Sequence, residues 1–413
     1  MANQDLTCFM WEKAEEEDVS LAKSLSEWAD TEVIGKRLEY NEDYEKLAKP
    51  AMKKLFLDIE MQKLIWKESY GGAGHNSGDA APTIALALEQ IGRADTGMGF
   101  NAAVMFALNG TFALEENLNE KLCSEVAPLY CNTKEPLITS LVLPAYGDAK
   151  SDDAHLYRGK YLQASAKKEK SDWIINGKDI RPLNSGLDAG LFGIFSYIEG
   201  EKEPGLFLVP GGAAGLKRGP EIIKTGLASA RNAEITLSDV KVPAKNLIFK
   251  GENPYRRMLI WLNMGIAAVT VGSLFAAYEI IKEWGDKRVI KGKNSIFKEN
   301  PLTASLMAEV SREILLARML TINLAGLIQK ERPTNHDAME KLFVTALSVA
   351  THVSSAGEKA LNQIMELMAS AGYATEWNLE RYWRDVKTMQ LAIGNRELNN
   401  MDTARYFYGC KTL

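Results

Sequence analysis

The sequence is poor in the residue types that build disulfides and metal sites. Its 413 residues include four cysteines and four histidines. The cysteines lack Cys-x-x-Cys spacing, and the histidines form no His-Glu-x-x-His motif or other closely spaced ligand pair. We therefore expect no metal centre and no disulfide framework. A reducing cytoplasm is the expected compartment.

The sequence also lacks a strong charge of one sign and long hydrophobic runs. Lys and Arg number 49 against 54 Asp and Glu, which gives a net charge of -5. This balance argues against a nucleic-acid binder, whose affinity would need concentrated positive charge. No run of about 18 or more apolar residues occurs, so we expect no membrane span. The acidic N-terminal residues lack the basic-then-apolar order of a secretion signal.

Three successive patterns are present, over a length too great for one ordinary core. Up to about residue 135, apolar residues recur at helical spacing, as at Leu55, Ile59 and Leu64. Between about 138 and 250, short apolar runs bounded by Gly, Pro, Asn and Asp predict strands. Long apolar stripes at helical spacing return from 254 onward. The predicted fold is α+β: an N-terminal all-α domain (1–135), a middle antiparallel β domain (136–252) and a C-terminal four-helix bundle (253–413).

Two glycine-containing segments predict local breaks. The glycine-rich stretch from Glu68 to Gly78 should interrupt the N-terminal helices, because glycine adopts backbone angles that other residues avoid. Asn176-Gly177 lies between apolar runs and predicts the turn of a β-hairpin.

The apolar stripes of the C-terminal segment predict a packed bundle with a further buried face. One stripe runs from Leu306 to Leu327 and another from Leu342 to Leu367. Stripes of this length are typical of core packing, and they also leave apolar faces that bury against another subunit. We therefore expect an oligomer.

Four short strings in this order give the chain a family resemblance. They are Glu68-Ser-Tyr-Gly-Gly-Ala-Gly74, Trp173-Ile-Ile-Asn-Gly-Lys178, Leu237-Ser-Asp-Val-Lys-Val-Pro243 and Tyr382-Trp-Arg-Asp-Val-Lys387. Each string alone is a weak signal. Together with the helix–β–helix order, they resemble the acyl-CoA dehydrogenase family over almost the whole chain.

This resemblance implies a flavin enzyme that acts on thioesters. FAD would lie between the β domain and the bundle, held partly by a neighbouring subunit, which is a second copy or a paralogous chain. A glutamate would remove the proton α to the acyl-CoA carbonyl while hydride leaves the β carbon for the flavin. An electron-transfer flavoprotein is an implied electron acceptor, and catabolism of fatty or aromatic acids is the implied setting.

The positions that should carry this chemistry are substituted. Read without gaps from the last string, the family's base glutamate falls on Ile393, and the position used by other family members falls on Leu262. Neither side chain has a titratable atom. Asp95 and Glu397 are candidate substitutes for the base, and Asp402 follows on the same predicted helix as Glu397.

The implied cofactor contacts are altered as well. A residue whose hydroxyl approaches the flavin is replaced by valine, and an arginine that helps to hold the substrate is replaced by asparagine, while one arginine for a cofactor phosphate is retained. The implied cofactor positions are Val142, Arg181, Leu183, Arg288 and Asn395, and the implied substrate position is Asn263.

Three functions follow from this pattern. The favoured hypothesis is a degenerate subunit that completes the FAD site of an active paralogue in a complex oxidising acyl-CoA. The second is an active acyl-CoA dehydrogenase with a relocated base and an unusual substrate. The third is an enzyme that acts on a CoA thioester without redox chemistry.

Overall fold

The computed structural model describes residues 16–146, 160–290, 292, 295–333, 335–394 and 396–410. Within these ranges, helices occupy both ends of the chain and a large β-sheet lies between them. This is the helix–β–helix order that the sequence predicts.

The N-terminal segment is helical, with several π-helical and 3-10 turns between its α-helices. Its helices are α1 (Glu16–Trp28), α2 (Arg37–Tyr40), α3 (Lys49–Lys53), α4 (Ala81–Ala94), α5 (Thr96–Ala113) and α6 (Glu120–Cys131). Pro82 starts α4, where the missing N–H costs no intrahelical bond. Asp95 separates α4 from α5 and caps α5 by accepting a hydrogen bond from the backbone N–H of Met98 at 2.9 Å.

The glycine-rich stretch breaks the helical segment as predicted. It forms a 3-10 turn at Glu68–Tyr70 that ends in a left-handed glycine, Gly71, with φ of +84°. A Cβ atom on the next residue, Gly72, would lie only 2.1 Å from the carbonyl oxygen of Trp66. Only glycine fits there.

The middle segment forms one mixed sheet with short accessory strands. The strands are β1 (Thr139–Val142), β2 (Ala145–Tyr146), β3 (Lys160–Tyr161), β4 (Ala164–Glu169), β5 (Asp172–Ile180), β6 (Leu191–Ile198), β7 (Gly205–Pro210), β8 (Leu216–Ile222), β9 (Asn232–Pro243) and β10 (Leu247–Lys250). The order across the sheet is β10-β7-β6-β4-β5-β9-β8, with β1 beside β6. Most pairs are antiparallel, as expected, but β1–β6 and β4–β6 are parallel because other chain segments separate these strands.

The predicted hairpin turn at Asn176-Gly177 is wrong. Both residues lie inside β5, and the β4–β5 turn comes earlier, after Glu169. At Gly177 the pairing of β5 with β9 shifts register, and an added Cβ would lie 2.8 Å from the carbonyl oxygen of Gln163. The glycine therefore serves a close backbone approach at an irregularity in the sheet.

The C-terminal segment contains the longest helices. They are α7 (Glu252–Lys287), α8 (Pro301–Lys330), α9 (His336–Met368), α10 (Leu379–Met389) and α11 (Arg396–Tyr408), with the short strands β11 (Val289–Ile290) and β12 (Ser295–Ile296) after α7. Most members of both predicted apolar stripes are buried, although Leu320 is exposed. Helix α7 packs against α4, α5 and α9, and so it joins the N-terminal helices to the bundle.

Helix α7 is the one helix in the described ranges whose length and composition would suit a membrane span. Its most apolar window has a mean hydropathy of 1.8, yet 94% of that window is buried inside the protein. The apolar character of α7 is thus accounted for by packing within the fold.

Candidate active site

A cavity of 420 Å³ opens where the sheet meets the helices on both sides of it. We call it the interdomain cavity. Its walls come from the segment after β1, the ends of β5 and β8, and helices α5, α7, α9, α10 and α11. Most of its lining is apolar, which is typical of a site for a small organic ligand.

Both positions implied for the catalytic base lie on this cavity. Leu262 lines it from the middle of α7, and Ile393 lines it from the 3-10 turn Gln390–Ile393 after α10. The fold therefore brings together two residues that are 131 positions apart in the numbering, as the resemblance implies. Neither aliphatic side chain can accept a proton.

Asn263 lies beside Leu262 on the cavity wall and is buried, with 4% of its surface exposed. No described residue makes a hydrogen bond to its side-chain amide. A buried amide without a partner is costly unless a ligand or water satisfies it. The Asn263 amide is therefore available to a polar group inside the cavity, in line with its implied substrate role.

The other amide side chains on the wall are used by the protein itself. Gln163 donates to the carbonyl oxygen of Leu143 at 2.9 Å and accepts from the backbone N–H of Arg181 at 3.1 Å. Asn184 donates to Thr139 and Asn101, both at 2.9 Å. These amides fix the cavity wall and are not free to bind a ligand.

A third wall amide, Asn232, holds the strand ends in the same way. Its Nδ2 donates to the carbonyl oxygen of Pro182 at 2.7 Å, and its Oδ1 accepts from the backbone N–H of Gly186 at 2.9 Å. This crosslink ties β9 to the chain that follows β5.

Two charged residues line the cavity besides Arg181. Lys224 follows β8, and its ammonium donates to the carbonyl oxygen of Ala230 at 3.0 Å. Burial lowers the pKa of Lys224. Asp402 projects from α11 and accepts a hydrogen bond from Arg405 at 2.9 Å. Asp402 is the only carboxylate on the described lining.

The two substitute bases proposed from the sequence lie elsewhere. Asp95 is wholly buried outside the cavity, where it pairs with Arg381 and accepts a hydrogen bond from Ser229. Burial alone would raise its pKa, but the charges of Arg381 and Arg37 outweigh this and lower it. Asp95 therefore serves as an ionised helix cap and ion-pair partner.

Glu397 is an exposed residue near the start of α11, 3.3 Å from the guanidinium of Arg396. It lies outside the cavity lining, although it is close in sequence to Ile393. The carboxylate of α11 that reaches the cavity is Asp402, one helical turn and a residue further along the helix.

The implied cofactor positions are scattered. The Val142 side chain is buried in the core of the sheet, and Leu183 lines the cavity. Arg181 lies at the cavity with its guanidinium exposed and paired to Glu234 at 2.8 Å. Arg288, at the end of α7, is exposed with its guanidinium carbon 5.8 Å from the Trp284 ring centre. Asn395 lies outside the described residues.

Sequence reasoning missed Lys224 as a residue of the site. The available signal was its place directly after a strand and just before Gly226, where loops of a sheet often carry functional side chains. A lysine in such a loop has no distinctive spacing. Only the packing of α10 over residues 224–230 puts it at the cavity.

Comparisons with known proteins agree with this architecture. Residues 256–407 match the family described as "Acyl-CoA dehydrogenase, C-terminal domain". The chain is 27% identical over 362 residues to the probable acyl-CoA dehydrogenase YngJ of Bacillus subtilis (strain 168), covering 84% of this chain and 87% of that protein.

Solved structures share the whole fold. Butyryl-CoA dehydrogenase from Megasphaera elsdenii superposes with a TM-score of 0.78 at 22% identity, covering 95% of this chain and 98% of that one. A glutaryl-CoA dehydrogenase from Mycobacterium smegmatis in complex with FADH2 superposes with a TM-score of 0.77 at 18% identity, covering 99% of both chains. At these identities the likeness concerns the fold.

Proposed function

We propose that the chain is a member of the acyl-CoA dehydrogenase family and that within it the chain is a non-catalytic partner subunit. In this proposal it associates with a paralogous, active subunit in an FAD-dependent complex that oxidises an acyl-CoA thioester at the α,β bond. The chain contributes an acyl-binding cavity and an interface, whereas the paralogue contributes the catalytic base.

One observation carries this proposal: Leu262 and Ile393, at the two implied base positions, both line the interdomain cavity. The proton α to a thioester carbonyl is weakly acidic, so its removal needs a positioned base such as a carboxylate. If only one of the two positions were aliphatic, the other could still hold the catalytic base. With both positions aliphatic, the site keeps its shape and loses its proton acceptor.

The flavin contacts support the same conclusion. Of the four described side chains at the implied positions, Val142 is buried in the sheet, Leu183 is apolar, Arg181 is engaged by Glu234, and Arg288 is exposed near Trp284. Because the wall amides Gln163 and Asn184 are also satisfied internally, these side chains do not fit a flavin in this chain alone. We therefore assign FAD binding to a site shared with the paralogue.

The surface of α8 supports association with another subunit. Leu302, Leu316, Met319 and Leu320 are all exposed on this helix. Exposed apolar residues grouped on one helix commonly mark an interface. A paralogous chain of the same fold would present the matching helix, as in an isologous contact.

A second candidate function is an active enzyme in which Asp402 replaces the family's base. This is favoured by the position of Asp402 as the one carboxylate on the described cavity lining. Its hydrogen bond to Arg405 would orient the carboxylate. The same carboxylate would also serve the redox-free alternative, since enolisation of a thioester needs only a base.

Two measurements on the purified chain separate these functions. The first is flavin absorbance, alone and after co-expression with a paralogue that carries the base glutamate. The second is exchange of the α protons of butyryl-CoA in D2O, which requires a base but no oxidant. The partner proposal expects a colourless chain without exchange, and flavin absorbance only in the complex.

The variant Asp402→Asn completes the test, with Glu397→Gln as its matched control outside the cavity. The partner proposal is refuted if the isolated chain exchanges α protons through Asp402. In that case Asp402→Asn slows the exchange at least about 100-fold, whereas Glu397→Gln leaves it unchanged. Flavin at stoichiometric amounts would then indicate the dehydrogenase, and its absence the redox-free enzyme.

A further inference from the structure

A second cavity, of 380 Å³, lies on another side of α7. We call it the helical cavity, because α7, α8 and α9, together with Leu114 just after α5, supply its apolar wall. It has no lining residue in common with the interdomain cavity. Its volume falls within the range of small-molecule sites, roughly 300–1,000 Å³.

The wall is hydrophobic and closely packed. Its apolar members are all buried residues: Leu114, Ile260, Trp261, Ile328, Met339 and Leu342. Trp261 is 6% exposed, and no described residue accepts a hydrogen bond from its indole N–H. A buried indole donor without an acceptor usually finds a partner when the site is filled.

A cation lines the same cavity. Arg257 lies one turn before Trp261 on α7, and its guanidinium donates to the Asn117 side chain and to the carbonyl oxygen of Pro333 at 3.3 Å. Both acceptors are neutral, and in the described ranges no carboxylate forms an ion pair with Arg257. Burial lowers the pKa of Arg257, and the charge of Glu116 offsets only part of this effect.

Two carboxylates, Glu116 and Glu331, line the rim of the cavity, and neither forms an ion pair with Arg257 in the described ranges. Glu116 accepts a hydrogen bond from the backbone N–H of Gly78 at 2.8 Å and lies 3.7 Å from the guanidinium of Arg332. Arg332 itself pairs more closely with Asp79, at 2.7 Å. Glu116 is thus held by Gly78 and Arg332, while the hydrogen bonds of Arg257 to Asn117 and Pro333 use two of its five N–H donors and leave the others for an anion.

We propose that the helical cavity binds a small organic acid, with its carboxylate on Arg257 and its apolar body against Trp261. The Arg257 guanidinium and the Trp261 indole offer N–H donors to the cavity, so a ligand bound to them must supply acceptors. A carboxylate matches the planar fork of a guanidinium, and a short alkyl or aryl body matches the apolar wall. A neutral alcohol of the same size would forgo the charged contact.

Helix α7 connects the helical cavity with the interdomain cavity, because it lines both of them. Helix α7 lines one cavity with Arg257 and Trp261 and the other with Leu262 and Asn263. A ligand in the helical cavity therefore contacts the same helix that lines the proposed acyl-binding cavity. The inference of a second site stands on its own and does not need the partner function.

Calorimetric titration of the full chain with hexanoate tests the proposal, with hexanol as the neutral analogue. Wild-type chain should bind hexanoate, and hexanol should bind at least about tenfold more weakly. Arg257→Gln should weaken hexanoate binding by at least about tenfold, whereas Arg312→Gln, a change at an exposed arginine of α8, should leave it unchanged. Circular dichroism verifies that each variant is folded.

A second pair of variants locates the bound acid. Trp261→Phe retains an aromatic ring but removes the N–H and part of the ring surface, so it should weaken binding by a few-fold. Lys224→Gln alters the interdomain cavity and should have no effect. No binding by the wild-type chain, or binding that depends on Lys224 and survives Arg257→Gln, would overturn the proposal.

Discussion

The Asp385 carboxyl lies wholly inside the protein, in the string Tyr382–Lys387 that carries part of the family resemblance. It accepts a hydrogen bond from the backbone N–H of Leu227 at 2.5 Å. The adjacent Arg384 donates to the carbonyl oxygen of Thr225 at 2.5 Å. Both residues fasten α10 to the loop that carries Lys224 into the interdomain cavity, which gives the string a physical role.

The burial of Asp385 has a consequence for stability. Burial raises the pKa of Asp385 from 3.8 to about 6, against the opposing charge of Arg381 and with a smaller contribution from Asp95. Since the folded chain holds this proton more tightly than the unfolded chain, the stability that this group contributes is present below about pH 4. It is lost as the pH rises through about 6.

Asp385→Asn should remove this pH dependence, because an amide accepts the same Leu227 hydrogen bond without ionising. Relative to wild type, the free energy of unfolding of the variant should rise by at least about 1 kcal/mol between pH 4 and pH 7. Urea unfolding at the two pH values measures this change. Glu397→Gln, at an exposed carboxylate, should show no such trend. If the difference in unfolding free energy between the variant and wild type stays constant with pH, the raised pKa of Asp385 is contradicted.

At the scale of elements, the sequence was informative where periodicity is strong. The stripes on α8 and α9 were predicted because core positions recur at helical spacing, and residues such as Val310 and Val353 are buried. It failed at Asn176-Gly177, since a dipeptide typical of hairpins also suits an irregular point in a long strand. Local preference alone does not distinguish these two uses of glycine.

The association of α4 with α8 depends on a buried ion pair. Arg318 on α8 donates to both carboxylate oxygens of Glu89 on α4, at 2.8 and 3.1 Å, and both side chains are almost wholly buried. The guanidinium also lies 5.5 Å from the ring centre of Phe275 on α7. A charge in such a place is tolerated only while its partner remains.

Glu89→Leu should therefore destabilise the fold by about 3–5 kcal/mol, because it removes the carboxylate that pairs with the buried Arg318 charge. The double variant Glu89→Leu/Arg318→Leu should recover most of this loss, since no unpaired charge remains. Guanidinium chloride unfolding of Glu89→Leu, Arg318→Leu and the double variant gives the coupling energy between the two side chains. Additive losses in the double variant would show that the pair is not coupled.

At the scale of the whole molecule, the interdomain cavity was the feature least accessible from sequence. The resemblance supplied Ile393, Leu262 and Asn263 as site positions, and the fold brings all three to one wall. Asp95 was misjudged as a substitute base because sequence shows neither its capping bond nor its pairing with Arg381. Burial and partners depend on contacts between distant elements, which one sequence does not encode in any local pattern.

The outer face of α8 shows the same division between what a stripe predicts and what packing decides. Helical spacing placed Leu320 with the core residues, but it is exposed together with Leu316 and Met319. A helix with one stripe in the core and another outside has two faces to bury. The second face is the surface through which we propose that subunits associate.

The double variant Leu316→Glu/Met319→Glu tests this interface directly. Two like charges on each contacting helix would have to be desolvated in an isologous interface, so association should weaken by at least about 100-fold. Light scattering of the chain alone and co-expressed with its paralogue measures the mass of the assembly.

Ile223→Glu, at a residue 87% exposed near the end of β8, introduces a charge elsewhere and should leave the mass unchanged. A wild-type chain that stays monomeric with and without the paralogue, or an assembly that survives the double variant, would show that this face of α8 is not the interface.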